Sequence, residues 1–386
     1  MKKKCLIVSS ISSMIGQFIM PNIELLLSMG YDVTVIANFS FGNTFSKNDA
    51  KKLWDSLKNR NVEVHNIKFI RNVFSPKNII AYKQVKKLVN ENDYALIHCH
   101  SPIGGVITRL AIRKRYSVGT KVMYTAHGFH FYNGAPLINW LVYYPIEKWL
   151  SKMTDVLITI NKEDYELAVR KMYARKIYLI NGIGVDIDKF ANSAIDMESK
   201  KNEINIPLDS IVLLSMGELN KNKNHQIIIK TISKIKNSDI YYVICGQGKQ
   251  NRNLHLLSKR LKVDNRIVFL GYRDDVVDLL RISDIYVFPS LREGLSVSLI
   301  EAMAAGLPCV VSKIRGNIDL VVDEKGGFLC DANNSDEYKD KIETIVADNT
   351  LKQNMGKFNQ NILKKFDLSV IMNEMRKIYV ENIRDI

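Results

Sequence analysis

Short apolar runs alternate with longer segments of helical periodicity along the first half of the chain. After the first run, apolar residues from Met20 to Leu27 recur at helical spacing and end at Gly30. Continuous apolar strands separated by helices predict a parallel sheet that is covered by helices on both faces. The strands predicted for this half are residues 5–10, 32–38, 94–100, 121–127, 156–161 and 177–182.

The pattern breaks at residues 183–209, which are polar and irregular and are interpreted as a linker. We predict an α/β fold of two tandem Rossmann-like, doubly wound domains that face each other across a cleft. The domains are 1–182 and 210–360, and the closing segment 361–386 is predicted to be helical. The strands predicted for the second domain are residues 211–217, 240–246, 266–271, 285–290 and 308–312.

Length and composition agree with two globular domains. The chain has 386 residues, of which 46% are hydrophobic and 25% charged, and it is too long for one ordinary core. The apolar run Cys5 to Val8 is shorter than the roughly 7–15 residues of a secretory signal, and no run approaches the roughly 20 residues that span a bilayer. A cytoplasmic location is therefore expected. The five cysteines lack CxxC spacing and are expected to be buried, reduced thiols.

The formal net charge of +15 allows a nucleic acid, an anionic membrane surface or a small anionic ligand as partner. The basic residues are scattered, with clusters at Lys2–Lys4, Arg113–Arg115 and Lys200–Lys201. The sequence has neither an arginine-rich recognition helix nor an aromatic RNA-binding signature. Nucleic acid is therefore not an expected partner.

The stretch EGLSVSLIEAMAAGLP, residues 293–308, carries two glutamates around a predicted helix start. Ser296 is the predicted N-cap, so Glu293 precedes the helix and Glu301 lies in its second turn. Free amides of a first turn bind phosphate, Gly294 admits a close ligand, and carboxylates accept hydrogen bonds from sugar hydroxyls. The alternative is that Glu293 only stabilises the helix dipole and that Glu301 lies at the surface.

Other strand ends of the second domain carry glycine and polar residues. In MGELNKNKNH, residues 216–225, Gly217 gives the chain a sharp exit from the sheet, and Lys223 is placed to reach a diphosphate. The turns within 244–250 and 269–275 also contain glycine. Several glycine-marked strand ends in one domain predict a nucleotide pocket, although a lone lysine in a polar loop is more often solvated.

Two segments carry a resemblance to a known family. SLREGLSVSLIEAMAAGLPCVVS, residues 290–312, together with the loop that carries Lys223, resembles the C-terminal domain of retaining family 4 glycosyltransferases of the GT-B fold. YTAHGFHFYNGAP, residues 124–136, resembles the bacterial capsule and exopolysaccharide subgroup. The resemblance covers nearly the whole chain, and it implies that the closing helix crosses back onto the first domain.

The resemblance implies a role for each matching position. Glu301 would hold the ribose hydroxyls, Glu293 would contact the donor sugar, and Lys223 would neutralise the diphosphate. Gly16, in the loop after the first strand, would close over the phosphates, and His127 would point at the reacting sugar. The remaining donor-binding positions are Gly217, the amides of Gly294, Leu295, Ser296 and Val297, and, near the base, Gly271 and Tyr272.

Glu218 departs from the family pattern, which commonly has an arginine at that position. A carboxylate does not bind phosphate directly, so Lys221 or Arg292 would supply the missing charge, or Lys223 would contribute more. The sequence leaves the electrostatics of this loop open.

The histidines of the first domain follow predicted strands. His127 precedes Gly128 at a strand end, where a side chain facing the cleft is expected. His98 and His100 alternate along a strand, which predicts that they face opposite sides and form no metal pair. His100 is interpreted either as part of the acceptor site or as a structural residue.

Two further features have competing interpretations. Asp186 and Asp188 match the D-x-D of metal-dependent glycosyltransferases, but they lie in the predicted linker, so metal dependence is not expected. Residues 131–153 concentrate aromatic and leucine side chains beside Lys148 and Lys152. This segment is either a core helix or an interfacial surface that docks on anionic lipid.

The resemblance implies an enzyme that moves a hexose or N-acetylhexosamine from a nucleotide-diphosphate sugar, with UDP expected, to a polyprenyl-diphosphate-linked saccharide. It would retain the anomeric configuration, need no metal or cofactor, and serve capsule or exopolysaccharide assembly at the inner face of the cell membrane. One alternative is a nucleotide-sugar epimerase of the same architecture, which needs no acceptor. The other is a non-catalytic basic protein that binds membrane or nucleic acid, which would leave the glycine-ended strands unexplained.

Overall fold

Strands and helices divide between two units in the computed structural model, which describes residues 3–42, 45–70, 72, 75–113, 119–191 and 195–383. Unit 1 comprises Met1–Ile183 and Ile371–Ile386, and unit 2 comprises Gly184–Val370. Each unit holds one parallel sheet with helices between its strands, which confirms the predicted class of two doubly wound α/β domains. Within the described ranges, no helix combines the length and apolar character needed to cross a bilayer.

Seven strands form the sheet of unit 1: β1 Lys4–Val8, β2 Asp32–Ala37, β3 Glu63–Asn66, β4 Tyr94–Cys99, β5 Lys121–Ala126, β6 Val156–Thr159 and β7 Lys176–Leu179. They lie in the order β3-β2-β1-β4-β5-β6-β7 and pair in parallel. Leu6, Ile7 and Val8 of the central β1 are fully buried, as expected for a strand covered on both faces. The order reverses between β1 and β4, whose carboxyl ends form the edge where such sheets bind ligands.

Helices of unit 1 cover both faces of this sheet through amphipathic sides. In the helix Asn78–Glu91, for example, Ala81, Val85 and Leu88 recur every three or four residues and are buried. A π-helical turn, Ile15–Ile19, joins the first two helices. The helices are α1 Ser12–Met14, α2 Met20–Ser28, α3 Lys47–Asn59, α4 Asn78–Glu91, α5 Pro102–Ile112, α6 Leu137–Leu150, followed by the 3₁₀ turn Ser151–Met153, and α7 Lys162–Lys171.

Six strands form the sheet of unit 2: β8 Ile211–Met216, β9 Ile240–Cys245, β10 Ile267–Gly271, β11 Ile285–Phe288, β12 Cys309–Ser312 and β13 Gly327–Cys330. They are parallel, in the order β10-β9-β8-β11-β12-β13. The order reverses between β8 and β11, which brings the loop after Met216 beside the loop after Phe288.

The helices of unit 2 also lie between its strands. They are α8 Ile187–Ala191, α9 Met197–Glu203, α10 His225–Lys234, α11 Asn251–Arg260, α12 Val276–Arg281, α13 Val297–Ala304, α14 Asn317–Leu320, α15 Ser335–Ala347 and α16 Asn349–Ile362, with 3₁₀ turns at Asp264–Arg266 and Leu363–Phe366. The last helix of the chain, α17 Leu368–Ile383, belongs to unit 1 from Ile371 onward, and its Met375 and Tyr379 are buried there.

The closing helix begins later than predicted. The predicted segment starts at residue 361, but α16 continues to Ile362 and a 3₁₀ turn separates it from α17. Asp367 accepts a hydrogen bond from the Ser369 amide at 2.9 Å, a side-chain cap that sets the start of the new helix. Residues 384–386 lie outside the described residues.

Two strands at sheet edges, β3 and β13, are not among the strands predicted from the sequence. β3 reads EVHN, in which Val64 alone is buried, and β13 reads GFLC. A four-residue strand that pairs on one side carries too few apolar residues to establish a period.

Residues 183–209 differ from the irregular linker that the sequence predicts. Val185, Phe190, Ile204 and Ile206 are buried in the core of unit 2, and α8 and α9 lie in this stretch. Their apolar side chains stand singly among polar residues, so no period marked them as core. Residues 192–194 of the predicted linker lie outside the described residues.

All five cysteines are free and buried, which confirms the prediction. The basic cluster Lys200–Lys201 is engaged within unit 2, since Lys200 Nζ lies 2.8 Å from carboxylate oxygens of both Glu203 and Asp275. Lys201 Nζ donates to the Ser210 carbonyl at 3.0 Å. Of the other two clusters, Lys2 and residues 114–115 lie outside the described residues.

Candidate functional site

The loop that leaves β8 places Lys223 against the backbone of Gly217. Gly217 has φ +148°, a conformation that side-chain-bearing residues rarely adopt. A Cβ atom on Gly217 would lie 3.0 Å from Lys223 Cε. The glycine therefore gives the chain its exit from the sheet and leaves room for the lysine side chain.

Lys223 forms an ion pair with Glu293, as Nζ donates to Oε1 at 2.8 Å. The two side chains are 18% and 14% exposed, so the pair is partly shielded from solvent. Lys223 Nζ also lies 4.4 Å from the centre of the Phe288 ring, a cation–π contact. The structure thus brings together two predicted site residues that are 70 positions apart.

Asparagines outside the predicted site residues join these two loops. Asn222 Nδ2 donates to the Arg292 carbonyl at 2.8 Å, and the Leu291 amide donates to the Asn222 carbonyl at 2.8 Å. Asn224, with φ +51°, donates through Nδ2 to the Pro289 carbonyl at 3.2 Å. The run NKNKN was a usable signal, because asparagine tolerates left-handed backbone and bonds to nearby carbonyls.

The helix that follows Glu293–Ser296, here called the EGLS motif, starts where the sequence predicts. Ser296 caps α13, and its side chain accepts from the Leu299 amide at 3.4 Å. The preceding turn is packed closely, since a Cβ on Gly316 would lie only 2.3 Å from the Gly294 carbonyl oxygen. Leu295 and Val297 pack against the core of unit 2. The first-turn amides are thereby held in a fixed position.

Glu301 is half-buried rather than a surface residue. Burial raises the pKa of its carboxyl to about 7, and the charge of Lys189 lowers that pKa in the opposite sense. Glu293 and Glu301 therefore lie in different surroundings, one beside a lysine and the other in a poorly hydrated position.

The remaining predicted positions of unit 2 lie at strand ends. Gly271 closes β10 with φ +70°, and its carbonyl accepts from the Gly246 amide at 2.7 Å. Tyr272 follows it and is exposed. Glu218 and Lys221 are exposed, whereas Arg292 is half-buried next to Glu293 in the chain.

Three histidines cluster at the carboxyl edge of the unit 1 sheet. The rings of His98 and His100 lie 3.9 Å apart between centres, so the prediction that they face opposite sides is wrong. Residues two apart in extended backbone point to the same side, so the spacing of the two histidines itself favours a shared face. The His100 amide continues the pairing with β1, since it donates to the Val8 carbonyl at 2.8 Å. His127 Nε2 lies 3.4 Å from His100 Nδ1, which brings the predicted catalytic histidine beside the predicted acceptor residue.

All three imidazoles have depressed pKa values. Burial lowers the pKa of His98 to about 3 and that of His127 to about 4, and it lowers the pKa of His100 well below its usual value. Neighbouring histidines depress the pKa of His98 and His100 further. His98 is held by Tyr379 Oη and Thr125 Oγ1, each at 2.8 Å from a ring nitrogen. The cluster is uncharged at neutral pH.

Gly16 does not lie in a loop, as the sequence predicted, but in the π-helical turn Ile15–Ile19. A Cβ at this position would lie 2.8 Å from the Phe45 ring and 3.3 Å from Leu53. In unit 1 the absence of a side chain therefore makes room for these two residues, and the phosphate role of Gly16 stays a prediction.

Asp186, the first acid of the D-x-D match, bonds to the backbone of the following helix. Asp186 Oδ1 accepts from the Lys189 amide at 3.2 Å, in the manner of a helix cap at the start of α8. Among the described residues, no group of three or more histidine, cysteine, aspartate or glutamate side chains is arranged to hold a metal ion.

Within the aromatic segment 131–153, α6 has two different faces. Trp140, Tyr143 and Tyr144 pack against the core of unit 1. Leu137 and Leu141, by contrast, are 81% and 73% exposed. The choice between a core helix and an interfacial one therefore does not apply to the helix as a whole.

Two family descriptions match the chain. Residues 196–362 match Glycosyl transferases group 1, and residues 23–189 match Glycosyltransferase Family 4. The first match includes the loop of Lys223 and α13, and the second includes the histidine cluster residues that precede α6.

Related proteins match over most of the chain. EpsD of Bacillus subtilis, which bears the name of a glycosyltransferase, is 33% identical over 98% of this chain and 97% of its own. A UDP-Gal:α-D-GlcNAc-diphosphoundecaprenol α-1,3-galactosyltransferase of Escherichia coli is 29% identical over 81% of this chain and 82% of its own. The structure of Anabaena HepE in complex with UDP-glucose matches with a TM-score of 0.80 at 19% identity, covering 98% of this chain and 99% of that one.

Proposed function

This chain belongs to the family 4 glycosyltransferases of the GT-B fold, and from that premise we propose that it moves a sugar from a UDP-sugar to a lipid-linked saccharide. The sugar would be a hexose or N-acetylhexosamine, transferred with retention of anomeric configuration. Support for the donor comes from HepE, whose structure holds UDP-glucose, and support for both substrates comes from the Escherichia coli relative, whose name contains UDP-Gal and diphosphoundecaprenol.

The contact between Lys223 and Glu293 at the carboxyl ends of β8 and β11 is the observation that carries this proposal. A diphosphate leaving group needs fixed positive charge, and Lys223 with the first-turn amides of α13 offers it beside a carboxylate that can accept sugar hydroxyls. Neither a structural ion pair alone nor a basic surface would call for that combination.

In the proposed reaction the bond between the anomeric carbon and the diphosphate oxygen breaks, and its electron pair stays on the leaving UDP. The acceptor hydroxyl oxygen bonds to the anomeric carbon from the same face, and its proton passes to a phosphate oxygen of UDP. Lys223 and the amides of Gly294 to Val297 would stabilise the developing charge. Glu293 would orient the donor sugar and Lys223, and would not attack the carbon.

The nucleoside would lie against the other strand ends of unit 2. Glu301 would accept hydrogen bonds from the ribose hydroxyls, and the backbone at Gly271 and Tyr272 would contact the base. Arg292, half-buried beside Glu293, would supply the positive charge that the exposed Glu218 does not.

The acceptor would use unit 1. As neutral imidazoles, His127 and His100 could hold sugar hydroxyls without drawing the diphosphate away from Lys223. Capsule or exopolysaccharide assembly is the role we assign to the product, and a polyprenyl diphosphate is the carrier we assign to the acceptor. No metal or other cofactor is part of the proposed reaction.

An anionic inner membrane surface is the proposed docking partner of α6. Leu137, Ile138 and Leu141 expose apolar side chains on this helix, and Trp149 lies near its end. Arg113 stacks over the Trp149 ring at 5.5 Å, so a cation lies at the border of the apolar face. Exposed apolar residues bordered by cations and tryptophan are typical of helices that lie in a membrane interface.

The test incubates the purified protein with a panel of UDP-sugars and a saccharide linked to polyprenyl diphosphate, with and without EDTA. We expect one donor to give an extended lipid-linked product and UDP, with the anomeric configuration of the donor retained in its NMR spectrum. EDTA should not lower the rate. Isomerisation of the donor in the absence of acceptor would contradict the proposal and indicate an epimerase, and failure to transfer from every donor would also contradict it.

A further inference from the structure

A cavity of about 300 Å³ opens in unit 1 beside α5 and α6. This volume lies at the lower end of the roughly 300–1,000 Å³ range of ligand pockets. Its walls are largely apolar and include Ile11, Met14, Ile103, Val106, Phe131 and Ile146.

The carboxylate in the wall of this cavity is already neutralised. Both oxygens of Glu147 accept from the guanidinium of Arg109, at 2.6 and 3.1 Å. Arg109 is fully buried, donates through Nε to the Gly105 carbonyl at 3.0 Å and lies 4.2 Å over the Tyr124 ring. The ion pair therefore joins α6 to α5. Because its two charges cancel, the wall has no net charge there that a ligand would have to neutralise.

Such walls suit hydrocarbon better than sugar. A saccharide that loses its water must recover hydrogen bonds for each buried hydroxyl, whereas a hydrocarbon chain needs only apolar contact. The wall also uses polar groups internally, since Ser101 Oγ accepts from the Ser10 amide at 2.8 Å.

The same helix lines the cavity and carries the exposed apolar face. Tyr143 and Ile146 of α6 contribute to the wall, while Leu137 and Leu141 of α6 face outward. At about 100° per residue these two pairs lie on different sides of the helix, so α6 separates the outer apolar face from the cavity.

We propose that this cavity binds the first isoprene units of the polyprenyl carrier of the acceptor. This inference rests on the proposed function, because that function supplies a polyprenyl-linked substrate. It adds a lipid-binding site in unit 1 that acts apart from the sugar-binding histidines and from membrane docking. Each buried methylene strengthens binding by about fourfold, so even one isoprene unit would raise affinity measurably.

The test compares binding of farnesyl phosphate, kept below its micellar concentration, with binding of methyl phosphate by isothermal titration. We expect wild-type protein to bind farnesyl phosphate at least about 50-fold more tightly than methyl phosphate. Val106→Trp should fill the cavity and weaken farnesyl phosphate binding at least about tenfold. Met14→Trp fills the cavity from another element and should do the same, so the result does not depend on one variant folding.

The matched control is Val169→Trp, because Val169 of α7 is 54% exposed and lies outside the cavity wall. It should bind farnesyl phosphate as wild type does. Equal binding of farnesyl phosphate by Val106→Trp and wild type would overturn the inference, and so would an equal loss of methyl phosphate binding.

Transfer assays separate this inference from the proposed function. If lipid-linked acceptors are glycosylated but the Val106→Trp and Met14→Trp variants keep the wild-type KM, the lipid site is wrong and the function stands. If farnesyl phosphate binds as expected but no lipid-linked saccharide is glycosylated, the lipid site stands and the proposed function is wrong.

Discussion

The carboxyl edges of the two sheets differ in charge, although both sheets are parallel and each reverses its strand order once near its centre. In unit 2 the edge holds the ion pair of Lys223 and Glu293, partly open to solvent. In unit 1 it holds three imidazoles whose pKa values are lowered by burial. One edge provides fixed charge, and the other provides hydrogen bonds without charge.

This difference assigns separate tasks to the two edges in the proposed reaction. Negative charge develops on the leaving diphosphate, and the positive charge of Lys223 would stabilise it. A neutral imidazole such as that of His127 can hold a hydroxyl without competing for the diphosphate. Removing charge from unit 2 should therefore lower turnover, whereas adding protons should disturb unit 1 through its stability.

Lys223→Ala is expected to have the largest effect. Loss of one preorganised group facing a developing anion lowers kcat by about 100- to 1,000-fold. The measurement is UDP release at saturating donor and acceptor. Lys221→Ala is the matched control, because Lys221 is exposed in the same loop, and it should stay within about twofold of wild type. Near-normal turnover of Lys223→Ala would show that the charge of Lys223 does not stabilise the leaving diphosphate.

Glu293→Ala should lower transfer by about 100-fold, because it removes both the donor contact and the partner that holds Lys223 in place. The same UDP-release assay measures it, with the thermal midpoint recorded to show that the fold is kept. Glu218→Ala removes an exposed glutamate near by and should leave turnover almost unchanged. If the two glutamate variants were equally active, Glu293 would be only a structural neighbour of the lysine.

Acid should destabilise the protein through the histidine edge. The folded-state pKa of His127 is about 4, below the ordinary histidine pKa of about 6.5, so the unfolded chain takes up the proton first. This contribution to stability is present above pH 6.5 and is lost as the pH falls from 6.5 towards 4. Urea unfolding should show a drop from pH 7 to pH 5 that is about 2 kcal/mol smaller in His127→Gln than in wild type. An identical drop in both proteins would show that His127 is not held neutral by the fold.

Glu301→Gln should have the smallest effect of these substitutions. We expect it to change how the affinity for UDP depends on pH. With a pKa of about 7, the Glu301 carboxyl is ionised above that pH, and a charged acceptor makes stronger hydrogen bonds to hydroxyls. UDP affinity of wild type relative to Glu301→Gln should therefore rise about threefold from pH 6 to pH 8, by titration calorimetry. If the ratio of the two UDP affinities did not change with pH, Glu301 would not contact the nucleotide through its carboxylate.

The sequence predicts best where one signal is local and repeated. Central strands such as β1 and β8 are continuous apolar runs, and Ser296 marks a helix start by residue type alone. The EGLS motif and the lysine loop carry their chemistry in short segments. Their meeting across 70 residues followed from the adjacency of β8 and β11, which a doubly wound topology predicts.

The sequence predicts poorly those features of the structure that depend on tertiary contacts. Nothing in the spacing pairs Arg109 with Glu147, because the two meet only when α5 and α6 pack together. The prediction for His98 and His100 failed for a different reason, because residues two apart along a strand share a face and the spacing itself indicates the same side. Single apolar residues such as Phe190 gave no period, and so the core role of residues 183–209 was hidden.

The bond between His98 and Tyr379 also has a consequence for biosynthesis. The two residues are 281 positions apart, and Tyr379 lies on the helix that completes unit 1 after unit 2 has been translated. Unit 2 is continuous in the chain, whereas unit 1 needs residues that follow unit 2, so unit 1 cannot be completed before Tyr379 has been synthesised. A chain interrupted after residue 370 would therefore keep the Lys223–Glu293 ion pair but lack the Tyr379 hydroxyl that bonds to His98.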